Sequence, residues 1–506
     1  MSCQRPLLLM VGWVIVCALT GCNSSASSPA VYVSPTMSTP TSPVRTPTPE
    51  QPATNSIMNA GSSGIGDPYY DQLGNGGYDV SHYTISLDVD PSSNMMSGTT
   101  IIDAKATQLL DSMNLDLQDL TVDAVQVNSE TAIFSHQDHE LKISPYTQLV
   151  NGELFSIHVL YHGNPKPIEN IASQNLANTV GWFHSTTGAI IVWSEPNGSA
   201  SWFPVNDHPR DKATYRIEIT VPKPWVVAAS GILSEVVDNG SQTRYVWEMD
   251  QPMASYLASI EIDKYIIETS AGPNGIVIRN YFTPDFPTEL KANINQIPAM
   301  IAYFSSIFGQ YPFGAYGVVI SEGDIPPCNL VIGGATELQS LSLFCPKDSV
   351  LDESIIAHEL AHQWFGSSVS LKNWQDLWLK EGMATYAEWL WQTRNQGVEA
   401  LNQRATEERS SFSIDNKIGQ PPPEDLYSWE QYGGGALTIH ALRLKVGDEV
   451  FFKIIRTYLE RYRYGNASVQ DFIDLSEEIS GLELSAFFDD WLNGTKVPDF
   501  PEPSKW

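Results

Sequence analysis

The sequence predicts an α+β multidomain fold, an all-β domain first and a mainly α domain after it. Three observations carry this. The chain has 506 residues, more than one ordinary core accommodates. Apolar and polar residues alternate with period two through much of the first half, and helical spacing takes over in the second.

Taken in order, the chain opens with "MSCQRPLLLMVGWVIVCALTGC", in which Arg5 precedes an apolar run from Leu7 to Leu19. The run is short for a bilayer span and has the length of a signal-peptide core. Its end, "LTGC", resembles the cleavage box of bacterial lipoproteins. Residues 1–21 are therefore expected to be a signal peptide and Cys22 a lipidated new N-terminus, giving an extracytoplasmic lipoprotein of the bacterial cell membrane, at the cell surface or in the periplasm. More than one acyl chain gives stable anchoring. Residues 22–66 are rich in Ser, Thr and Pro and poor in large apolar residues, so a disordered, extended tether is expected there.

The segments "YTISLDVD", "TTIIDAKAT", "LFSIHVLYHG", "TYRIEITVP" and "TRYVWEMD" alternate strictly between turns rich in Gly, Asn, Asp and Pro. They predict a β domain over 67–275. From "ELKANINQIPAMIAYFSSIFG" onward the texture is helical, which puts a second domain at 276–506. Its candidate helices include Ser354–Phe365, Leu379–Gln392, Gly435–Lys445, Glu449–Tyr464 and Val469–Ile479.

Composition excludes some partners. Lys and Arg number 28 against 58 Asp and Glu, a net charge of −30. Nucleic acid and anionic lipid headgroups both need a basic face, so no nucleic-acid partner is expected. Of the five cysteines, Cys3 and Cys17 leave with the signal and Cys22 takes lipid. Cys328 and Cys345 remain, and in an oxidising compartment a disulfide between them is expected.

The second half carries "HELAHQWFG", His358 to Gly366, and then "WLKEGMATY", Trp378 to Tyr386. Side chains four apart on a helix share a face, so His358 and His362 can aim two imidazoles at one point with Glu359 beside them. His-Glu-x-x-His on a helix is a zinc-hydrolase signature. Zinc needs a third protein ligand and an open position, and Glu381, nineteen residues after His362, can supply the ligand. A buried helix with two hydrogen-bonded histidines is the alternative for the five-residue pattern alone.

These motifs together resemble the zinc site of the aminopeptidase N family of gluzincin metallopeptidases. The resemblance extends to "DPYYDQLGNGGYDVSHYTISLDVD", "SWFPVNDHPRDKATYRIEITVP" and "FFDDWLNGTKVP", and covers about Asp67 to Pro498. It implies a saddle-like β domain followed by a thermolysin-like catalytic domain. It also implies one Zn2+ per chain held by His358, His362 and Glu381, with Glu359 as general base. The family's oxyanion donor is a tyrosine followed by x-Lys/Arg-Gly-Ala. "EQYGGGAL" puts Tyr432 in that register, with Gly434 where the basic residue usually sits and Tyr427 as the fallback.

The family's Gly-x-Met-Glu-Asn loop, which reads the substrate's free N-terminus, is matched by "GGATEL". Gly334, Ala335 and Glu337 fall within it, and Thr336 and Leu338 replace the Met and Asn. Glu195, nine residues before Pro204, matches a second amine-reading position in the β domain. The function implied is a zinc aminopeptidase acting on peptides with a free N-terminus. A same-fold endopeptidase and a surface-anchored binding protein with a decayed site are the alternatives. The chain has no room after its last helices for the C-terminal helical domain of many family members, so a more open cleft is expected.

Overall fold

The computed structural model describes residues 59–172, 178–321, 328, 334–346, 351–413 and 416–502. The expected signal peptide, Cys22 and most of the expected tether lie outside these residues. Among the described residues no helix is long and apolar enough to cross a membrane.

The alternation read in the sequence becomes an eight-stranded sheet. Its strands are β1 (Tyr78–Asp90), β2 (Met95–Ala106), β3 (Thr121–Val127), β4 (Glu130–Thr131), β5 (Leu154–Gly163), β6 (Ala213–Pro222), β7 (Ile232–Asp238) and β8 (Gln242–Met253), in the order β7-β8-β6-β1-β2-β5-β3-β4. Neighbours run antiparallel except β1 and β6, which pair in parallel with His82 opposite Thr214. Along β1, Tyr83, Ile85, Leu87 and Val89 are buried while alternate residues face outward, the period-two pattern of a sheet with one packed face. A five-stranded sheet over 167–169, 179–184, 190–193, 226–229 and 260–263 and a three-stranded one over 113–116, 133–137 and 140–144 accompany it in this half.

Two boundaries differ from expectation. Residues 59–66, expected within the tether, are bonded to the β half: Gly61 N–H donates to the Ser112 carbonyl and Asp111 N–H to the Asn59 carbonyl. A tether with its backbone groups paired is already part of the fold. The expected junction at 275/276 falls inside a hairpin, because Ile266–Ala271 pairs antiparallel with Val277–Phe282. That hairpin continues into a sheet with Val318–Ile320, β9 (Ala335–Leu338) and β10 (Leu341–Phe344), so backbone pairing runs across the expected boundary.

The helices are α1 (Ile297–Phe308), α2 (Glu353–Ala361), α3 (Trp378–Thr393), α4 (Val398–Ser411), α5 (Gly435–Val446), α6 (Asp448–Arg461), α7 (Val469–Ser480) and α8 (Ser485–Asn493). Asp352 caps α2, its carboxylate accepting from Ser354 N–H at 2.7 Å. The helix was expected to reach Phe365. It ends at Ala361, and the chain tightens there, with Gln363 N–H donating to Leu360 and Trp364 N–H to Ala361. His362 keeps helical dihedrals as the cap, and its N–H still bonds the His358 carbonyl.

Helices α3 and α5 touch backbone to backbone. A Cβ added at Gly382 would stand 2.7 Å from Gly435 Cα, and one at Gly435 would stand 2.8 Å from Gly382 Cα. This contact seats Glu381, on α3, against the segment that carries Tyr432. Overpacking a tight core costs about 1–3 kcal/mol, more than the roughly 1 kcal/mol a helix interior gains when Ala replaces Gly. Gly382→Ala is therefore expected to lower the melting temperature despite its better helix propensity; calorimetry on the purified variant checks this.

Candidate active site

Helix α2 presents His358 and His362 one turn apart, and the first turn of α3 brings Glu381 to the same point. His362 Nε2 lies 3.1 Å from His358 Nε2, and Glu381 Oε2 lies 3.3 Å from each. The tautomer of His362 is set by its other nitrogen: Nδ1 donates to the Phe365 carbonyl at 2.9 Å, leaving Nε2 as a lone pair. His358 turns Nδ1 toward Glu388, 3.8 Å away on α3. Three such atoms turned to one point need a positive charge among them, which protons on the imidazoles or a metal ion can supply. Tetrahedral ligation at zinc–ligand distances near 2.0–2.1 Å puts ligand atoms about 3.3 Å apart, so the donor set fits zinc in both chemistry and spacing.

The electrostatics agree. Burial works against a charged imidazole at His358, but its hydrogen bonds with Glu381 and Glu388 outweigh this and push its pKa up to about 10. At His362 burial is likewise outweighed, by the charges of Glu337 and Glu381. Burial alone would raise Glu381, yet the Lys380 charge and the two histidines hold it well below the usual carboxylate range. Burial pushes Glu359 up to about 7 against the pull of both histidines. The Glu359 side chain is buried and its Oε2 has no hydrogen-bond partner among the described residues, an acceptor beside Glu337 and His362.

The structure brings the expected amine-reading residues to the same place. Glu337, on β9, and Glu359 and His362 have donor atoms within 4.8 Å of one another. Glu195 reaches in from the β half, and burial together with the Glu337 charge pushes its pKa up to about 8. The carbonyl of Gly334 accepts from Cys345 N–H at 2.8 Å, and Ala335 opens β9. Cys328 and Cys345 form a disulfide, with Cα atoms 4.9 Å apart.

Tyr432 sits in a wide π-type turn, Glu430–Gly434, that leads into α5; such turns recur at functional sites. Its ring stacks between Trp429 (centroids 6.0 Å apart) and His358 (6.1 Å). Gly434 has a packing reason. A Cβ there would meet Ile418 Cδ1 at 2.8 Å and Phe412 Cζ at 3.0 Å, so any side chain at this position would require those two to move. Tyr427, the fallback, has a buried hydroxyl without a partner.

Three residues of the site went unread in the sequence. Gln363 bolts α2 to the amine-reading strand: its Oε1 accepts from Ser340 N–H at 2.7 Å and its Nε2 donates to the Leu338 carbonyl at 2.9 Å. Glu388 stands behind His358; it lies seven residues after Glu381, two helical turns along α3, a spacing that could have found it. Lys380, beside the third ligand, directs its ammonium at Glu195, Glu337 and Glu381.

The loop joining the two ligand segments is held by the β half. Lys212 donates to the carbonyls of Ser367 and Ser368 at 2.9 and 3.1 Å, and Arg210 to Lys372 O and Asn373 Oδ1. Asp67 accepts from Trp374 N–H at 3.0 Å and pairs with His208.

Comparison with known proteins agrees with this geometry. Residues 79–257 match the Peptidase M1 N-terminal domain and residues 335–491 the Peptidase family M1 domain. A probable aminopeptidase 2 of Sulfurisphaera tokodaii is 28% identical over 332 residues, covering 61% of this chain and 42% of that protein. Human glutamyl aminopeptidase is 28% identical over 329 residues, 60% of this chain and 34% of its own. The chain thus spans less than half the length of these two relatives. The crystal structure of an M1 zinc metallopeptidase from Deinococcus radiodurans superposes with a TM-score of 0.78 at 28% identity, covering 88% of this chain and all of that one. A mutant of that enzyme bound to a Tyr-Ser-Ala substrate gives 0.78 at 27% identity. With both domains matched in order on the expected two-part fold, the chain belongs to peptidase family M1, the aminopeptidase N-like gluzincins.

Proposed function

We propose that the protein is a zinc-dependent aminopeptidase that removes N-terminal residues from peptides. We propose further that lipid on Cys22 holds it at the extracytoplasmic face of a bacterial membrane. One observation carries the catalytic reading: three lone-pair donors converge beside a buried carboxylate, Glu359, whose Oε2 has no partner among the described residues.

His358, His362 and Glu381 would hold the ion. When bound, zinc supplies Lewis acidity, polarising a scissile carbonyl and lowering the pKa of water to about 7. Glu359, with its pKa at about 7, can take a proton from the attacking water and return it to the departing amine. The Tyr432 hydroxyl, which burial keeps protonated, serves as donor to developing negative charge on the carbonyl oxygen. Glu195 and Glu337 receive the α-ammonium, because a charge-assisted hydrogen bond in a dry pocket is strong and directional. Gly334 and Ala335 place the backbone that lines this seat. The relatives named aminopeptidases support the same reading.

A second reading, a same-fold endopeptidase, is favoured by the Lys380 ammonium already engaging both amine-reading carboxylates. Blocking the substrate's N-terminus separates the two. The purified protein is expected to hydrolyse aminoacyl-anilides and to spare their N-acetylated counterparts; efficient cleavage of acetylated peptides with no anilide hydrolysis would sink the aminopeptidase reading.

Removing the base tests the site itself. Glu359→Gln is expected to bind one zinc per chain by elemental analysis while kcat falls by about 100-fold or more. Dialysis against a chelator should abolish the parent's turnover, and added Zn2+ should restore it. The anchor has its own test. Cys22→Ser is expected to move the protein from the membrane fraction to the soluble one on cell fractionation, and continued sedimentation with membranes would refute lipidation at Cys22.

A further inference from the structure

Lys380 is the residue immediately before the third metal ligand, and its side chain is 1% exposed. Its ammonium lies 2.6 Å from Glu195 Oε1 and 3.3 Å from Glu381 Oε1, and donates to Glu337 Oε1. The Tyr256 ring centroid is 5.3 Å away, a further contact suited to a cation. The stem passes Gly366, where a Cβ would already touch Lys380 Cδ at 3.4 Å; a larger side chain there would crowd the lysine. Gly366 also has φ +117, a conformation that favours glycine. The lysine is thus built in, with its stem threaded through the packing and its charge met on several sides.

An amine-reading pair without this lysine would offer two carboxylates to one ammonium. With it, one of those negative charges is already balanced, and an incoming α-ammonium meets a like charge on the same carboxylates. Building on the aminopeptidase reading, we propose that Lys380 is an internal counter-cation of the amine-reading carboxylates and sets how tightly the substrate's α-ammonium is bound. It acts on recognition of the N-terminus, while the proton transfers stay with Glu359.

Two ammonium groups sharing a carboxylate stand roughly 4–5 Å apart, and at an effective dielectric near 20 such a repulsion alone changes affinity by several hundredfold, of which shared attraction to the carboxylates offsets a part. The test compares the zinc-loaded parent with Lys380→Gln, Lys380→Met and Lys380→Arg on leucyl-anilide, with butylamine as a competing free amine. Zinc content is measured alongside. For the two neutral variants we expect KM and the butylamine inhibition constant to fall together by about five- to fiftyfold, with kcat changing much less. The arginine variant, which keeps the charge, should not show the paired fall in KM and inhibition constant.

Unchanged or higher KM in zinc-loaded neutral variants would overturn the proposal, since the lysine would then only brace the carboxylates. Should those variants fail to fold, the parent still decides through a leucyl-anilide analogue in which hydroxyl replaces the α-amine. KM for this analogue within about tenfold of the amine is expected, and a hundredfold gap would overturn the proposal. A parent that cuts acetylated peptides and no aminoacyl-anilide would refute the aminopeptidase reading itself, a result separable from either outcome for Lys380.

Discussion

Two imidazole nitrogens and a carboxylate oxygen, 3.1–3.3 Å apart and largely dry, need a positive charge among them, whether protons on the imidazoles or a metal ion, and a folded chain must hold all three in place to receive it. Much of the second half can be understood as that restraint. The Phe365 carbonyl fixes one imidazole, and Glu388 stands behind the other. The glycine contact between α3 and α5 keeps the helix of Glu381 from sliding away. The tightened turn after Ala361 allows His362 to end a helix and still keep its place one turn above His358. Aromatic packing closes the shell behind them: Trp364, next but one after His362, meets Phe304, Phe308 and Tyr311, and so joins the ligand segment to the core under α1.

The β half is part of this restraint. Arg210 and Lys212 bind carbonyls of the loop between the two ligand segments, and Asp67 holds the Trp374 amide. Such bonds are worth more where they are buried, because an unmet carbonyl or charge there is costly. The same half contributes Glu195 to the amine-reading group. In the proposed reading, seating of the substrate's end and support of the metal ligands both depend on contacts between the halves, and a hairpin of continuous backbone pairing crosses the expected boundary.

Local periodicity explains what could be read in advance. The i, i+4 histidines and the strict alternation of β1 and β6 are set by neighbours in sequence, so they were legible from spacing alone. Glu381 is legible from zinc's need for a third ligand and from its own place at the start of the next helical stretch, while the turn that returns it to the histidines is made by tertiary packing. Gly434 stood out in the sequence as a departure. Its reason lies in Ile418 and Phe412, more than ten residues away, which fill the space a side chain would need. Gln363 and Lys380 gave no periodic signal. Their partners, Leu338, Ser340, Glu195 and Glu337, come from distant segments, and only folding brings them together.

Charge balance ties the metal site and the amine-reading site into one object. The cluster holds four buried carboxylates, those of Glu195, Glu337, Glu359 and Glu381, against the single buried ammonium of Lys380. With all four ionised it would be short of three positive charges, and burial answers part of this by pushing Glu195 up to about 8 and Glu359 up to about 7, where protons are held in the neutral range. A divalent ion supplies two, and the α-ammonium of a peptide supplies the third. Lys380 already balances part of the charge on Glu195 and Glu337, so under the proposal the α-ammonium adds only modestly to what a neutral terminus leaves there. Under the proposed function the selectivity of this site thus follows from its interior charges, which water screens far less than the chain's exposed carboxylates.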